Sequence, residues 1–141
     1  MNKILASGLT LMWVGWAWGG GADLKPLQGT WTPVAGEMTG LPLPEEFLRA
    51  AKLTIAGEKY SVTVSGKNDE GMLKLDAAKR PRAMDIIGTD GPNKGKTILA
   101  IYEVKGDVLK ICYALDGKDR PKDFKTLPKT DLFLLIYKKA K

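Results

Sequence analysis

Short runs in which apolar and polar residues alternate with a period of two are set off by turn signals roughly every 8–12 residues from Gln28 onward, the rhythm of an all-β sandwich or barrel. Residues 52–56 and 59–65 flank Gly57-Glu58. A two-residue turn there sets Ile55 opposite Tyr60, Thr54 opposite Ser61 and Leu53 opposite Val62, so that apolar side chains meet on one face and hydroxyls on the other. Gly106-Asp107 passes the same test: Val104 falls opposite Leu109, Tyr102 opposite Ile111 and Ala100 opposite Tyr113, while Glu103 and Lys110 face each other outside as a cross-strand charge pair. That register puts Cys112 on the outer face beside Ile101. Between the hairpins, residues 71–76 send Leu73 and Leu75 inward, and residues 82–87 send Met84 and Ile86 inward. Residues 131–139 form the last strand, apolar on both faces as far as Lys138, so one face meets the interior and something covers the other.

One segment departs from this period. Residues 41–51 read as a short helix: Pro44 suits a first helical position, Glu45 and Glu46 favour the positive N-terminal end, and Phe47 and Leu48 give it an apolar side. Lying between the first strand and the first hairpin, it would cover one open end of the structure. The predicted fold is an all-β, up-and-down antiparallel barrel of about eight strands with one short lid helix.

The first 22 residues do not belong to that domain. One positive charge at Lys3, an apolar run of 15 residues from Ile4 to Trp18, and small residues ending at Ala22, with Gly20 at −3 and Ala22 at −1, read as a signal peptide. No cysteine stands near the junction, so it is not a lipoprotein signal. Trp13, Trp16 and Trp18 suit a membrane interface and supply the competing reading, an uncleaved anchor. A spanning helix, however, needs roughly 20 apolar residues, and the triple glycine stops this run early. Residues 23–141 then form one exported domain, periplasmic or extracellular, with no stable membrane insertion after cleavage. The chain carries 22 basic and 16 acidic residues, +6 in all and +5 once Lys3 is gone. The two signs are interleaved, which describes a solvated mixed surface, with a polyanion-binding face as the alternative; no nucleic-acid partner is expected. A lone cysteine excludes an internal disulfide.

Gly29-Thr30-Trp31 opens the first strand in the manner of a lipocalin-type barrel. With it stand residues 27–31, 42–44, 89–96, 101–103, 109–113 and 117–121, and together they make the chain resemble the lipocalin-like superfamily. Within it, the chain is most similar to a family of small exported lipocalin-like domains best known from planctomycete bacteria. That resemblance implies fold and export and no particular chemistry. In lipocalins proper the first-strand tryptophan packs at the closed end against an arginine near the last strand; the corresponding candidates here are Lys138 and Lys139.

Several apparent motifs dissolve on inspection. Residues 91–97 look like a phosphate-binding loop, but three residues, not four, separate the glycines, and a strand follows where a helix N-terminus is needed. Residues 116–123 carry three carboxylates without calcium-loop spacing, and read as a structured loop with internal ion pairs. With no histidine in the chain, Cys112 cannot form a cysteine–histidine nucleophile, nor is there a zinc ligand set. The expectation is therefore a protein that is not an enzyme and holds no metal or cofactor. Tyr60, Tyr102 and Tyr113 all fall on the inward face. As ordinary core residues they would bond backbone or water; as pocket residues they would supply polar tips to an apolar body and form the ligand-binding set. Two functions follow from this: an exported module holding a small apolar or amphipathic ligand, or a non-catalytic envelope module with a packed barrel and a protein partner.

Overall fold

The structure, a computed structural model, describes residues 24–140. The segment expected to be a signal peptide, with its expected junction at Asp23, lies outside the described residues. A 3-10 turn (Lys25–Leu27) leads into β1 (Gly29–Met38), β2 (Leu41–Pro42), α1 (Glu45–Ala50), β3 (Ala51–Ala56), β4 (Lys59–Val64), β5 (Lys67–Asp76), β6 (Arg82–Asp90), β7 (Thr97–Lys105), β8 (Val108–Ala114) and β9 (Leu132–Lys139). From β3 to β9 each strand pairs antiparallel with its neighbour in sequence. β1 closes the sheet by pairing with β3 through its first residues and with β9 along most of its length. The result is an eight-stranded up-and-down barrel, with β2 as a short extra strand on the far end of β1.

Both hairpins adopt the register that alternation demands. Ile55 faces Tyr60 and Leu53 faces Val62; Tyr102 faces Ile111 and Ala100 faces Tyr113. Because the side-chain period is two, the register decides which residues fill the interior. Leu53, Ile55, Leu73, Met84, Ile86, Ile98, Ile111 and Leu135 do so, all buried in one cluster. Each such side chain removed from water contributes about 1.5–3 kcal/mol.

The two barrel ends differ. At one end Leu27 and Trp31 are both fully buried, and the Trp31 indole N–H donates to the Leu27 carbonyl at 2.8 Å. Gln28 fastens this plug to the first hairpin turn: its amide oxygen accepts from Gly57 N and its amide nitrogen donates to Gly57 O. Gly29 sits at φ +119, and a Cβ there would press on the Lys139 side chain. The Lys139 ammonium lies 5.4 Å from the Trp31 ring centroid, so a cation–π contact stands where lipocalins place arginine. This end is closed. At the other end are α1, the turns at 39–40 and 65–66, and the connections 91–96 and 115–131.

Some expectations need correction. Leu41 and Pro42 pair with Met38 and Glu37 as β2, so the helix is confined to Glu45–Ala50. Pro44 is its N-cap, with ψ 147, because an extended residue must turn the chain from β2 into the helix. β5 begins at Lys67, four residues before residue 71, where alternation first shows. Glu103 does stand opposite Lys110, but it meets Lys105 at 3.9 Å while the Lys110 ammonium lies over the Phe124 ring. Arg120 pairs not within its own loop but with Asp85 at 2.7 Å, and also donates to the carbonyls of Met84 and Ala100.

That last contact explains the apolar outer face of β9. The connection 115–131 lies across the outside of the barrel. Arg120 holds it to β6 and β7, and Thr126 holds it to β1 by donating from its amide and hydroxyl to Glu37. Beneath it, Phe124 packs on Ile101, Cys112 and Leu134. Cys112 is thus outside the lumen, as its register requires, yet wholly buried. Its Sγ approaches the Lys125 carbonyl at 3.7 Å, and burial pushes the thiol up to about 11.

Candidate functional site

Inside the barrel, between the Trp31 plug and the end that carries α1, is a cavity of about 480 Å³. Its walls are aliphatic: Leu53, Ile55, Leu73, Met84, Ile98 and Ile111 all contribute. They form a cavity because each strand presents alternate residues inward, and eight strands leave an interior wide enough for side chains or one small molecule. The interior is therefore not fully packed.

Aromatic rings lead in from the α1 end. Phe47 of α1 meets Phe133 of β9 edge to face at 6.0 Å, and Phe133 in turn lies 5.7 Å from Tyr113. The Tyr113 hydroxyl is 2.7 Å from that of Tyr137. Burial raises the pKa of both phenols well above the ordinary tyrosine value, so both are protonated at neutral pH. The pair is a neutral polar point in an apolar wall.

The third phenol in the cavity is held differently. Tyr60 donates to Asp69 Oδ2 at 3.3 Å. Asp69 also accepts from the backbone and side-chain amides of Asn93, both at 3.0 Å. Burial, then the Asp69 charge, raises the Tyr60 pKa. Gly71 makes room for this ring: a Cβ there would collide with Tyr60 and with the Ile87 carbonyl. The connection 91–96, which resembles a phosphate loop in composition, therefore bonds a carboxylate at the cavity's edge and joins two strands. Lys52, Lys67 and Asn68 add exposed polar groups to the lining.

Of the three tyrosines singled out from sequence, Tyr60 and Tyr113 line the cavity. Tyr102 is buried in the same core cluster, but its register opposite Arg82 and Ile111 places it toward the closed end, and it is not part of the lining. Tyr137 was missed. It lies on the strand whose two faces are equally apolar, so alternation could not say which face turned inward.

Comparison with known proteins adds the fold. The barrel superposes on the crystal structure, at 1.00 Å resolution, of a DUF4847 family protein from Bacteroides vulgatus ATCC 8482, with TM-score 0.51 and 14% identity. The match covers 86% of this chain and 99% of that one. At this identity the likeness is one of architecture, and at that level a lipocalin-like barrel describes the chain. No family model matches the sequence, and no curated protein matches it.

Proposed function

We propose that this domain is an exported, non-catalytic binding module that holds one small apolar or amphipathic molecule in its barrel. One observation carries the reading: an aliphatic cavity of about 480 Å³ with a few converging polar groups, within the roughly 300–1,000 Å³ of small-molecule sites. The buried polar pair in its wall, Tyr113 and Tyr137, consists of phenols whose pKa values burial raises, so they stay protonated and can donate hydrogen bonds at neutral pH. Tyr60 and Tyr113 are the proposed contacts, with Tyr102 supporting the site from the closed end, and α1 flanks the route of access. Membership of the exported family best known from planctomycetes belongs to the same proposal, as does cleavage before Asp23; N-terminal sequencing of the exported protein checks the latter.

The test is a fluorescence titration with N-phenyl-1-naphthylamine, a neutral apolar dye. One dye per chain should bind at micromolar Kd or tighter, about −8 kcal/mol, and Tyr113→Leu should change that affinity in a protein that still melts cooperatively. Absence of binding by the wild type refutes the reading.

A second reading, a surface that docks an envelope partner, is favoured by one feature. Met38, Leu41 and Leu127 are exposed apolar side chains near the β1–β2 turn, where Gly40 N donates to Thr126. Lys125 and Lys129 flank Leu127 in sequence. If the dye does not bind, this patch becomes the leading site.

A further inference from the structure

The tyrosine pair goes further than the cavity's size, because its hydrogen bonds can be counted. Two phenols bring two O–H donors. At 2.7 Å between their oxygens, one proton lies between Tyr113 and Tyr137, whichever of them donates. The second proton has no acceptor among the described residues. Tyr60 makes no hydrogen bond to the pair; its own hydroxyl is turned to Asp69, to which it donates. Tyr137 is 2% exposed, so bulk water does not reach its hydroxyl freely, while Tyr113 is half-buried at the cavity wall. A buried donor without an acceptor is costly, and a bound molecule that supplies one recovers that cost.

The chemistry of the acceptor is constrained as well. The wall around the pair is aliphatic and aromatic, and the cations of the lining, Lys52 and Lys67, are exposed on β3 and at the start of β5. A carboxylate or phosphate brought to the phenols would be a buried charge with no counter-ion. A neutral acceptor faces no such penalty. We propose that the Tyr113–Tyr137 hydroxyl pair is the recognition point for a neutral carbonyl or ether oxygen on an otherwise apolar ligand, which is bound with that oxygen inside the barrel and not at its edge. The proposal rests on the cavity-binding reading and specifies the ligand class.

The pairing also makes the two hydroxyls redundant. Removing either one frees the other from its partner, and the survivor still donates one proton. Single variants therefore keep most of the preference for an oxygen, and only the double variant loses it.

The experiment is displacement of N-phenyl-1-naphthylamine by two molecules of matched shape, cyclohexyl phenyl ketone and benzylcyclohexane, which differ by a C=O in place of a CH₂. In wild type the ketone-to-hydrocarbon affinity ratio is measured, then again in Tyr113→Phe, Tyr137→Phe and the double variant. The ratio should fall by less than about threefold in either single variant and by about tenfold in the double, the worth of one buried hydrogen bond. An unchanged ratio in the double variant overturns the proposal. So does 4-cyclohexylbenzoate as the tightest ligand with an affinity that drops in the double variant, since that would put a charge at the pair. A wild type that binds neither molecule nor the dye removes the cavity-binding reading itself, a distinct result. Should the double variant not fold, the infrared band of the ketone bound to wild type decides. A carbonyl stretch below its position in a hydrocarbon solvent supports the hydrogen bond, and one at that position overturns it.

Discussion

Arg120→Ala should release the connection 115–131 and expose the cysteine beneath it. The guanidinium makes three hydrogen bonds, to Met84 O at 3.1 Å, Ala100 O at 3.0 Å and Asp85 Oδ1 at 2.7 Å, the last of them an ion pair. Charge-assisted hydrogen bonds contribute about 1.5–3 kcal/mol each when buried, but the arginine side chain is 26% exposed and the aspartate 35%, so water screens part of that. A net loss of about 2 kcal/mol follows for the closed position of the loop. Opening of this segment alone is enough to uncover Cys112, because Phe124 and Lys125 are what cover it. Two kcal/mol raises the open population by roughly 30-fold, and the rate of labelling should rise with it. The assay is the reaction of native protein with a chromogenic disulfide at pH 8, alongside urea melts to separate loop opening from global unfolding. In wild type the reaction should be slow on two counts: the loop blocks the sulfur, and burial pushes its pKa up to about 11, away from the reactive thiolate. Lys118→Ala, which removes an exposed side chain of the same loop, serves as control. Wild-type labelling as fast as a free thiol, or an Arg120→Ala rate equal to wild type, refutes this account of what holds the loop.

Three further outcomes follow from the same geometry. Trp31→Ala removes a fully buried indole and its bond to Leu27 and should cost about 3–5 kcal/mol in a urea melt; a loss under about 1 kcal/mol would mean the closed end does not depend on its plug. Gly71→Ala forces a methyl against the Ile87 carbonyl and the Tyr60 ring, and should destabilise by about 1–3 kcal/mol as an overpacked site; a neutral result would contradict the close approach of β5 and β6. Folding raises the pKa of Tyr60, Tyr113 and Tyr137 above the unfolded value of about 10, so their contribution to stability is complete below that pH and declines as the pH climbs above it. Absorbance at 295 nm should show these phenols ionising only together with alkaline unfolding, and early titration of all three in folded protein would contradict their burial.

How much of this was legible beforehand depended on whether a segment carries period-two alternation. The hairpins at Gly57-Glu58 and Gly106-Asp107 do, and every residue pair expected of them is observed. Residues 67–70 do not: Lys67, Asn68, Asp69 and Glu70 are all polar, so nothing in their pattern marks a strand. They become one because Ser65-Gly66 is itself a hairpin turn, with φ values of +49 and +84 that fold β5 back onto β4. The first turn residue is serine, not the asparagine or aspartate that usually announces such turns. The connection 115–131 was opaque for a different reason. It has no period, and its position is set by single long-range contacts, Arg120 to Asp85 and Thr126 to Glu37, between residues 35 and 89 positions apart in sequence.

The cavity was legible in part, and the part that was missed is the more informative. Alternation sends a side chain inward but says nothing about how deep in the barrel it lies. Tyr60, Tyr102 and Tyr113 looked equivalent from the sequence, and depth separates them. Tyr102 lies toward the closed end, Tyr60 turns to Asp69, and Tyr113 meets the phenol of Tyr137. Its partner, Tyr137, lies four residues along β9 from Phe133, the residue directly opposite Tyr113. The rings therefore meet by leaning along the barrel axis, across two residue pairs of the same face. A side chain as long as tyrosine can make that diagonal contact, where a leucine could not bring a polar atom to it. The rule that assigned faces correctly could not find this pair, since it compares residues directly opposite each other.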